Sequence, residues 1–208
     1  MEKAAAQSYN AVATEIFTPV YSYYANEIVA KTGIRSGDCL DVGSGAGYLG
    51  LALLQIASFR LFLLDHSWEM LPQTEEGFNR GAKRKTTGIV LAEVQAIPLK
   101  DASMDLVISR GSVPFWSDLS TAFSEIDRVL KPGGSACILG GLGPPEIRED
   151  IERQLYRRNP DWQKERDRTM PRRQEDQYAQ SLRMAGIRHF TVDRNETGMW
   201  IQFGKSNF

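Results

Sequence analysis

The sequence predicts an α/β fold: a mostly parallel sheet covered by helices on both faces. Three observations point to it. Short runs rich in Val, Ile and Leu alternate with helix-like segments through residues 35–142. Those runs are near-continuously apolar, as strands buried on both faces require. A glycine-rich turn, "DVGSGAGYLG" at 41–50, links the first run to a helix-like segment. A chain of 208 residues is long enough to bury a sizeable core in one such unit.

Each element has its own signal. Val12, Ile16, Val20, Tyr24 and Ile28 recur every four residues, which predicts a helix over 8–32. Pro19 must kink or split it, and Gly33 is placed to cap its end. The runs "CLDVG", "RLFLLD", "GIVLAEV", "MDLVIS" and "SACILG" predict five strands, with helices near 47–57, 67–83 and 118–131 between them. In the last helix Asp118 is the N-cap, and Leu119, Ala122, Phe123, Ile126 and Leu130 share one face.

Beyond Gly143 the chain becomes highly charged, with both signs intermixed. "PPEIREDIERQLYRRN" predicts a surface helix with proline near its start. "PDWQKERDRTMPRRQ" reads as a loop or lid, and a further helix ends near "MAG". "IRHFTVDR" and "GMWIQFG" predict a hairpin turning around Asn195–Gly198. The expected organisation is one domain: an N-terminal helical cap (1–34), a core (35–142), a helical lid or substrate region (143–186) and a terminal hairpin (187–208).

Composition excludes several classes. With 42% hydrophobic and 25% charged residues, the chain has ordinary globular composition. A net charge of −1 exerts no global pull toward nucleic acid or acidic membranes. Cys39 and Cys137 sit in apolar runs and read as reduced core residues of a cytoplasmic protein. No CxxC or Cys/His cluster suggests a metal, and neither a signal-like start nor an 18-residue apolar run predicts membrane insertion.

The glycine turn holds something close to its backbone, where a side chain would clash. Gly45, Gly47 and Gly50 fit the G-x-G-x-x-G dinucleotide register, and Gly43, Gly45 and Gly47 fit G-x-G-x-G. Asp41 discriminates between them. A carboxylate beside a doubly negative pyrophosphate is repelled, whereas S-adenosylmethionine (SAM) brings an ammonium and a sulfonium that a carboxylate favours. The lesser reading leaves Asp41 ordering the turn by itself.

"LDVGSGAG", "LLDHSWEML", "AEVQAIPLKDASMDLVIS" and "RVLKPGG" follow one another in the order of a known set of motifs. On these segments, over roughly residues 35–140, the chain resembles the class I SAM-dependent methyltransferases. It is most similar to the small ubiquinone/menaquinone-biosynthesis type. The resemblance implies a Rossmann-like three-layer sandwich with a seven-stranded sheet of order 3-2-1-4-5-7-6 and strand seven antiparallel. It implies SAM as cofactor, S-adenosylhomocysteine as product, and cofactor contacts from Asp41, Gly43, Ser44, Gly45 and Gly47.

Carried over position by position, Asp65 matches the acid that binds the ribose hydroxyls. His66 and Met70 match positions lining the adenine. Glu93 and Val94 stand where the family has Asp and Ala; the usual Gly-Asp is Ala92-Glu93 here, and the longer acid weakens the parallel at the adenine amino group. Ser109 matches a position near the methionine part. Tyr21 is the aromatic of the N-terminal segment best suited to face the sulfonium, although Tyr9, Phe17, Tyr23 and Tyr24 share that segment and helical spacing also suits a core role.

On the acceptor side three residues stand out. Arg110 ends the fourth strand, where open α/β sheets bind ligands. It either binds a substrate anion or pairs structurally with Glu93, Asp41 or another acid. Trp116 either walls the acceptor pocket or packs under the following helix, and Trp162 belongs to the lid. No residue carries a convincing signature of a catalytic base, and His189 falls in a late strand.

The implied reaction is SN2 methyl transfer to a small-molecule acceptor by a monomer or homodimer, with no nucleic-acid substrate. "SRGS" stands after strand four where amino-methylating enzymes acting on adenine carry [DN]-P-P-[YFW]. Two alternatives differ in class: a catalytically silent SAM-binding regulatory subunit, and an NAD-dependent oxidoreductase.

Overall fold

A computed structural model describes residues 11–71, 87–170 and 173–205. Tyr9 and the part of the expected 67–83 helix beyond Leu71 lie outside the described residues.

The apolar runs form strands β1 (Ser36–Val42), β2 (Ser58–Asp65), β3 (Thr87–Leu91), β4 (Met104–Arg110) and β5 (Leu130–Gly140). All adjacent pairs among them are parallel. The chain then makes β6 (Phe190–Asn195) and β7 (Gly198–Gly204), and the sheet order is β3-β2-β1-β4-β5-β7-β6. β7 runs antiparallel to both neighbours. The short turn at 196–197 forces this reversal, since so few residues cannot make a parallel crossover. Asn195 orders that turn, its side-chain oxygen accepting from the Thr197 N–H.

Alternation along β1 splits the interior into two layers. Cys39 faces one core with Leu61, Leu63, Leu106, Ile108 and Leu139. Leu40 and Val42 face the other with Leu64, Val107 and Ile138. The first core is covered by helices α1 (Thr18–Thr32), α2 (Tyr48–Leu54) and α4 (Pro145–Arg158), the second by α3 (Leu119–Val129) and α6 (Glu175–Met184). Each fully buried Leu or Ile contributes about 1.5–3 kcal/mol to this two-sided burial.

Pro19 splits the N-terminal helix: a helical turn at 11–15 is followed by α1, with proline in its first turn. Gly33 ends α1 at φ 70°, its N–H bonded to the Val29 carbonyl. The buried Tyr24 hydroxyl donates to the Thr197 carbonyl at 2.7 Å and accepts from the Gly143 N–H at 3.3 Å. α1 is thereby tied to the end of β5 and to the hairpin turn.

Asp118 caps α3, accepting from the Thr121 N–H and hydroxyl; these bonds hold its carboxyl down at about 2. The helix stops at Val129, because Leu130 already pairs with Met104 in the sheet. β3 ends at Leu91, so Ala92–Val94 leave the strand and lead into a turn closed by the Ala96 N–H on the Glu93 carbonyl. His189 lies in a bend before β6, not in a strand.

The segment expected as a loop at 160–174 contains helix α5 (Trp162–Thr169). It buries no residue, so it shows no apolar stripe for periodicity to detect. Local contacts support it instead: Lys164 pairs with Asp161 at i,i+3, and Arg166 sits over the Trp162 ring.

Tyr24→Phe keeps the ring packing but deletes the hydroxyl bridge. It should lower unfolding free energy by about 1 kcal/mol, seen as a lower urea midpoint with an unchanged slope.

Candidate cofactor loop and the strand ends around it

In-register parallel pairing brings the ends of β1, β2 and β4 to one edge. Asp41 lies opposite Leu63 on one side and Ile108 on the other. Loops leaving these strands therefore share one end of the sheet, where α/β folds bind ligands.

The turn from β1 into α2 needs its glycines. Gly43, Gly45 and Gly47 have φ of 62°, 53° and 76°, the left-handed region that side chains disfavour. Neighbours also crowd them. A Cβ on Gly43 would come within 2.3 Å of Ser112, and one on Gly45 within 2.8 Å of Met70. A Cβ on Gly50 would meet Leu61 at 2.7 Å, so that glycine serves helix–sheet packing.

Two carboxylates hold the turn. Asp65 Oδ2 accepts from the Gly45 N–H at 2.8 Å, and Oδ1 accepts from the Ser67 N–H at 2.9 Å. An ionised carboxylate oxygen can accept more than one bond, so both oxygens retain capacity for further donors. Asp41 Oδ2 accepts from the Gly50 N–H at 3.0 Å, inside the first turns of α2. Asp41 is only 2% exposed, and burial pushes its carboxyl up to about 7, opposed by the Gly50 bond and reinforced by the Asp65 charge. The geometry thus gives Asp41 a part in ordering the turn. Ser44 donates its N–H to the Leu64 carbonyl, binding the loop to β2.

Around this loop the expected residues divide. Met70 is buried against Gly45, and His66 is exposed beside Asp65, with Nδ1 3.7 Å from Oδ1. Glu93 is exposed in the turn after β3, and Val94 is buried in the core. The fully buried Ser109 shares a 2.6 Å hydrogen bond with the Ser112 hydroxyl. Ser112 also contacts the Val42 carbonyl and accepts from the Trp116 indole N–H. Trp116 is 6% exposed and packs edge-on against Phe123 of α3.

Tyr21 lies over the helical end of the loop, stacked on Tyr48 with ring centres 5.5 Å apart. Arg110 does not form the ion pairs with Glu93 or Asp41 that the sequence allowed. Its guanidinium lies over Phe17 and Tyr21 and donates to the Gly141 carbonyl. Trp162 is partly buried on the α1 side, edge-on to Tyr156. Sequence reasoning missed Ser112 and Tyr48. Ser112 lies in the quoted "SRGS" but carries no motif signal; Tyr48 directly follows Gly47, the one hint available.

Residues 40–138 match the methyltransferase domain family. A solved structure from Methanococcus maripaludis, provisionally classed as an S-adenosyl-L-methionine-dependent methyltransferase, is 33% identical. The match covers 100% of this chain and 94% of that one, with a TM-score of 0.91. A malonyl-[acyl-carrier protein] O-methyltransferase of Methylovorus sp. (strain MP688) is 34% identical over 116 residues, 53% of this chain and 38% of that protein. A chloroplastic 2-methyl-6-phytyl-1,4-hydroquinone methyltransferase of Oryza sativa subsp. japonica is 29% identical over 106 residues, 50% of this chain and 31% of that protein. The chain thus spans only about a third of the length of these two curated relatives. Fold, glycine turn and these similarities define a Rossmann-like SAM-binding protein. The chain belongs to the class I SAM-dependent methyltransferases. Among the described residues, no helix is long and apolar enough to cross a membrane.

The raised Asp41 carboxyl has a consequence for stability. In the unfolded chain it titrates near 4, so the folded state holds the extra proton between about pH 4 and 7. Its contribution is complete below about 4 and is lost as pH rises toward 7, at up to about 1.4 kcal/mol per pH unit. Asp41→Asn should flatten that decline while keeping an acceptor for Gly50. Urea unfolding at several pH values would check it.

Proposed function

We propose that this chain transfers a methyl group from SAM to a small-molecule acceptor. The observation that carries the proposal is the Asp65 clasp on the glycine turn at the carboxyl edge of this sheet. The residues present fit the cofactor. Asp65 has acceptor capacity beyond its two N–H partners, which suits ribose hydroxyls. The loop Gly43, Ser44, Gly45 and Gly47 would lie along the ligand, with Asp41 ordering its base. His66 and Met70 would flank the adenine, with Glu93 and Val94 at its amino edge. Ser109 and Tyr21 would bound the methionine end.

When bound, SAM supplies a methyl group on a sulfonium, whose neutral sulfur leaves readily. The protein's task is then to align the acceptor and exclude water. Tyr21 on Tyr48, with α1 anchored by Tyr24, would roof the loop, and Trp162 would be the acceptor-side aromatic; Trp116, buried against Phe123, takes the packing role under α3. We assign the N-terminal segment as cover, 143–186 as the acceptor-side wall, and 187–208 as the edge that completes the sheet, all within one domain.

The relatives act on different acceptors by their names, a malonyl-[acyl-carrier protein] and a phytyl hydroquinone. That difference favours a family scaffold tuned at its acceptor side. A net charge of −1 favours a small acceptor over nucleic acid. The two buried free thiols favour a reducing, cytoplasmic setting. We propose a monomer or homodimer as the working state.

Calorimetry with SAM, S-adenosylhomocysteine and NAD should give saturable binding of the first two only. Methyl transfer from labelled SAM into a metabolite extract should then mark the acceptor. Binding of NAD alone would overturn the proposal. Asp65→Ala should weaken SAM by about 1–3 kcal/mol, because charged hydrogen bonds are lost and Gly45 is released. Unchanged affinity would remove Asp65 from the site.

A further inference from the structure

Among the described residues, Arg110 is a cation without a counter-ion. Its guanidinium carbon lies 5.0 Å from the Phe17 ring centre and 5.2 Å from that of Tyr21. Among the described residues it makes one hydrogen bond, from Nη2 to the Gly141 carbonyl at 2.8 Å. Its Nε is buried with no hydrogen-bond partner. The acids that sequence offered as partners are elsewhere: Asp41 is turned to Gly50, and Glu93 is exposed after β3.

The rings explain how the group is held but not what neutralises it. Aromatic faces attract a cation from above its plane yet accept nothing from the in-plane N–H groups. A guanidinium carries five such donors in a rigid fork, and one is used. Nε is too enclosed for a ligand to reach, but the charge of a half-buried guanidinium with no acid beside it among the described residues is costly unless an anion meets its outer N–H groups. The position is also suggestive. Arg110 ends β4 at the ligand-binding edge, and one of its rings stacks on Tyr48, which directly follows Gly47.

We infer that Arg110 receives a ligand carboxylate in the cleft beside the glycine turn. A planar, singly charged fork fixed against two rings matches a planar, singly charged carboxylate. The inference rests on the methyltransferase reading. Two ligands could bring the group: the methionyl end of SAM, or the methyl acceptor.

Calorimetry on the full chain separates the two sources. SAM and 5′-methylthioadenosine, which lacks the amino-acid end, are titrated into wild type, Arg110→Met and Arg110→Lys. If the carboxylate is the cofactor's, SAM affinity falls about tenfold or more in Arg110→Met while methylthioadenosine is unaffected. If it is the acceptor's, both cofactor ligands bind as in wild type. With S-adenosylhomocysteine saturating, malonate and benzoate then raise the melting temperature of wild type but not of Arg110→Met. Arg110→Lys keeps a cation on the rings without the fork and should fall between. It also carries the test if the methionine variant does not fold. Variants matching wild type in both arms would overturn the inference. Wild type that binds neither SAM nor methylthioadenosine would overturn the methyltransferase reading first, which is a separate result.

Discussion

The hydrogen bond from the Gly45 N–H to Asp65 joins the ends of β1 and β2 through one carboxylate. Much of the site depends on it. A turn with three left-handed glycines gains no rigidity from its own side chains, so its shape must come from outside. Asp65 grips it from β2, Asp41 grips the start of α2 from below, and Ser44 is tied to the Leu64 carbonyl. The same carboxylate that shapes the loop keeps acceptor capacity, so the proposed ligand contact at Asp65 would be linked to loop order.

The helical cover is built on aromatic contacts more than on ion pairs. Tyr21 stacks on Tyr48, Tyr24 bridges α1 to the hairpin turn, and Trp200 packs edge-on to Tyr24. One ion pair, Arg158 to Glu15, adds a link from α4 to the N-terminal turn, but both side chains are exposed and the link is worth little. Rigid rings lose little conformational entropy on ordering, which suits a roof over a loop that is itself short of side chains.

Legibility followed the range of the interactions. β1, β2, β4 and β5 were visible because burial on both faces makes a strand read as a continuous apolar run. α3 was visible because Asp118 and its apolar stripe are local signals. α5 was not, since none of its residues is fully buried and Trp162 alone reaches the core, too little for a periodic stripe. The loss of strand at Ala92–Val94 was not legible either. A strand lasts only as long as its neighbour, and β2 ends at Asp65, paired with Leu91.

The sequence by itself determined the sheet class, the glycine turn, the hairpin and the family, because these rest on periodicity, turn chemistry and ordered motifs within short windows. Tertiary structure alone decided what Asp41 and Arg110 touch. Asp41 could have faced a ligand or the helix, and packing of α2 onto β1 set it against Gly50. Arg110 could have found an acid, and the fold placed it on Phe17 and Tyr21, residues about ninety positions away. Partners so distant in the chain leave no spacing to read, so only the folded arrangement shows Arg110 on these rings with no acid beside it among the described residues.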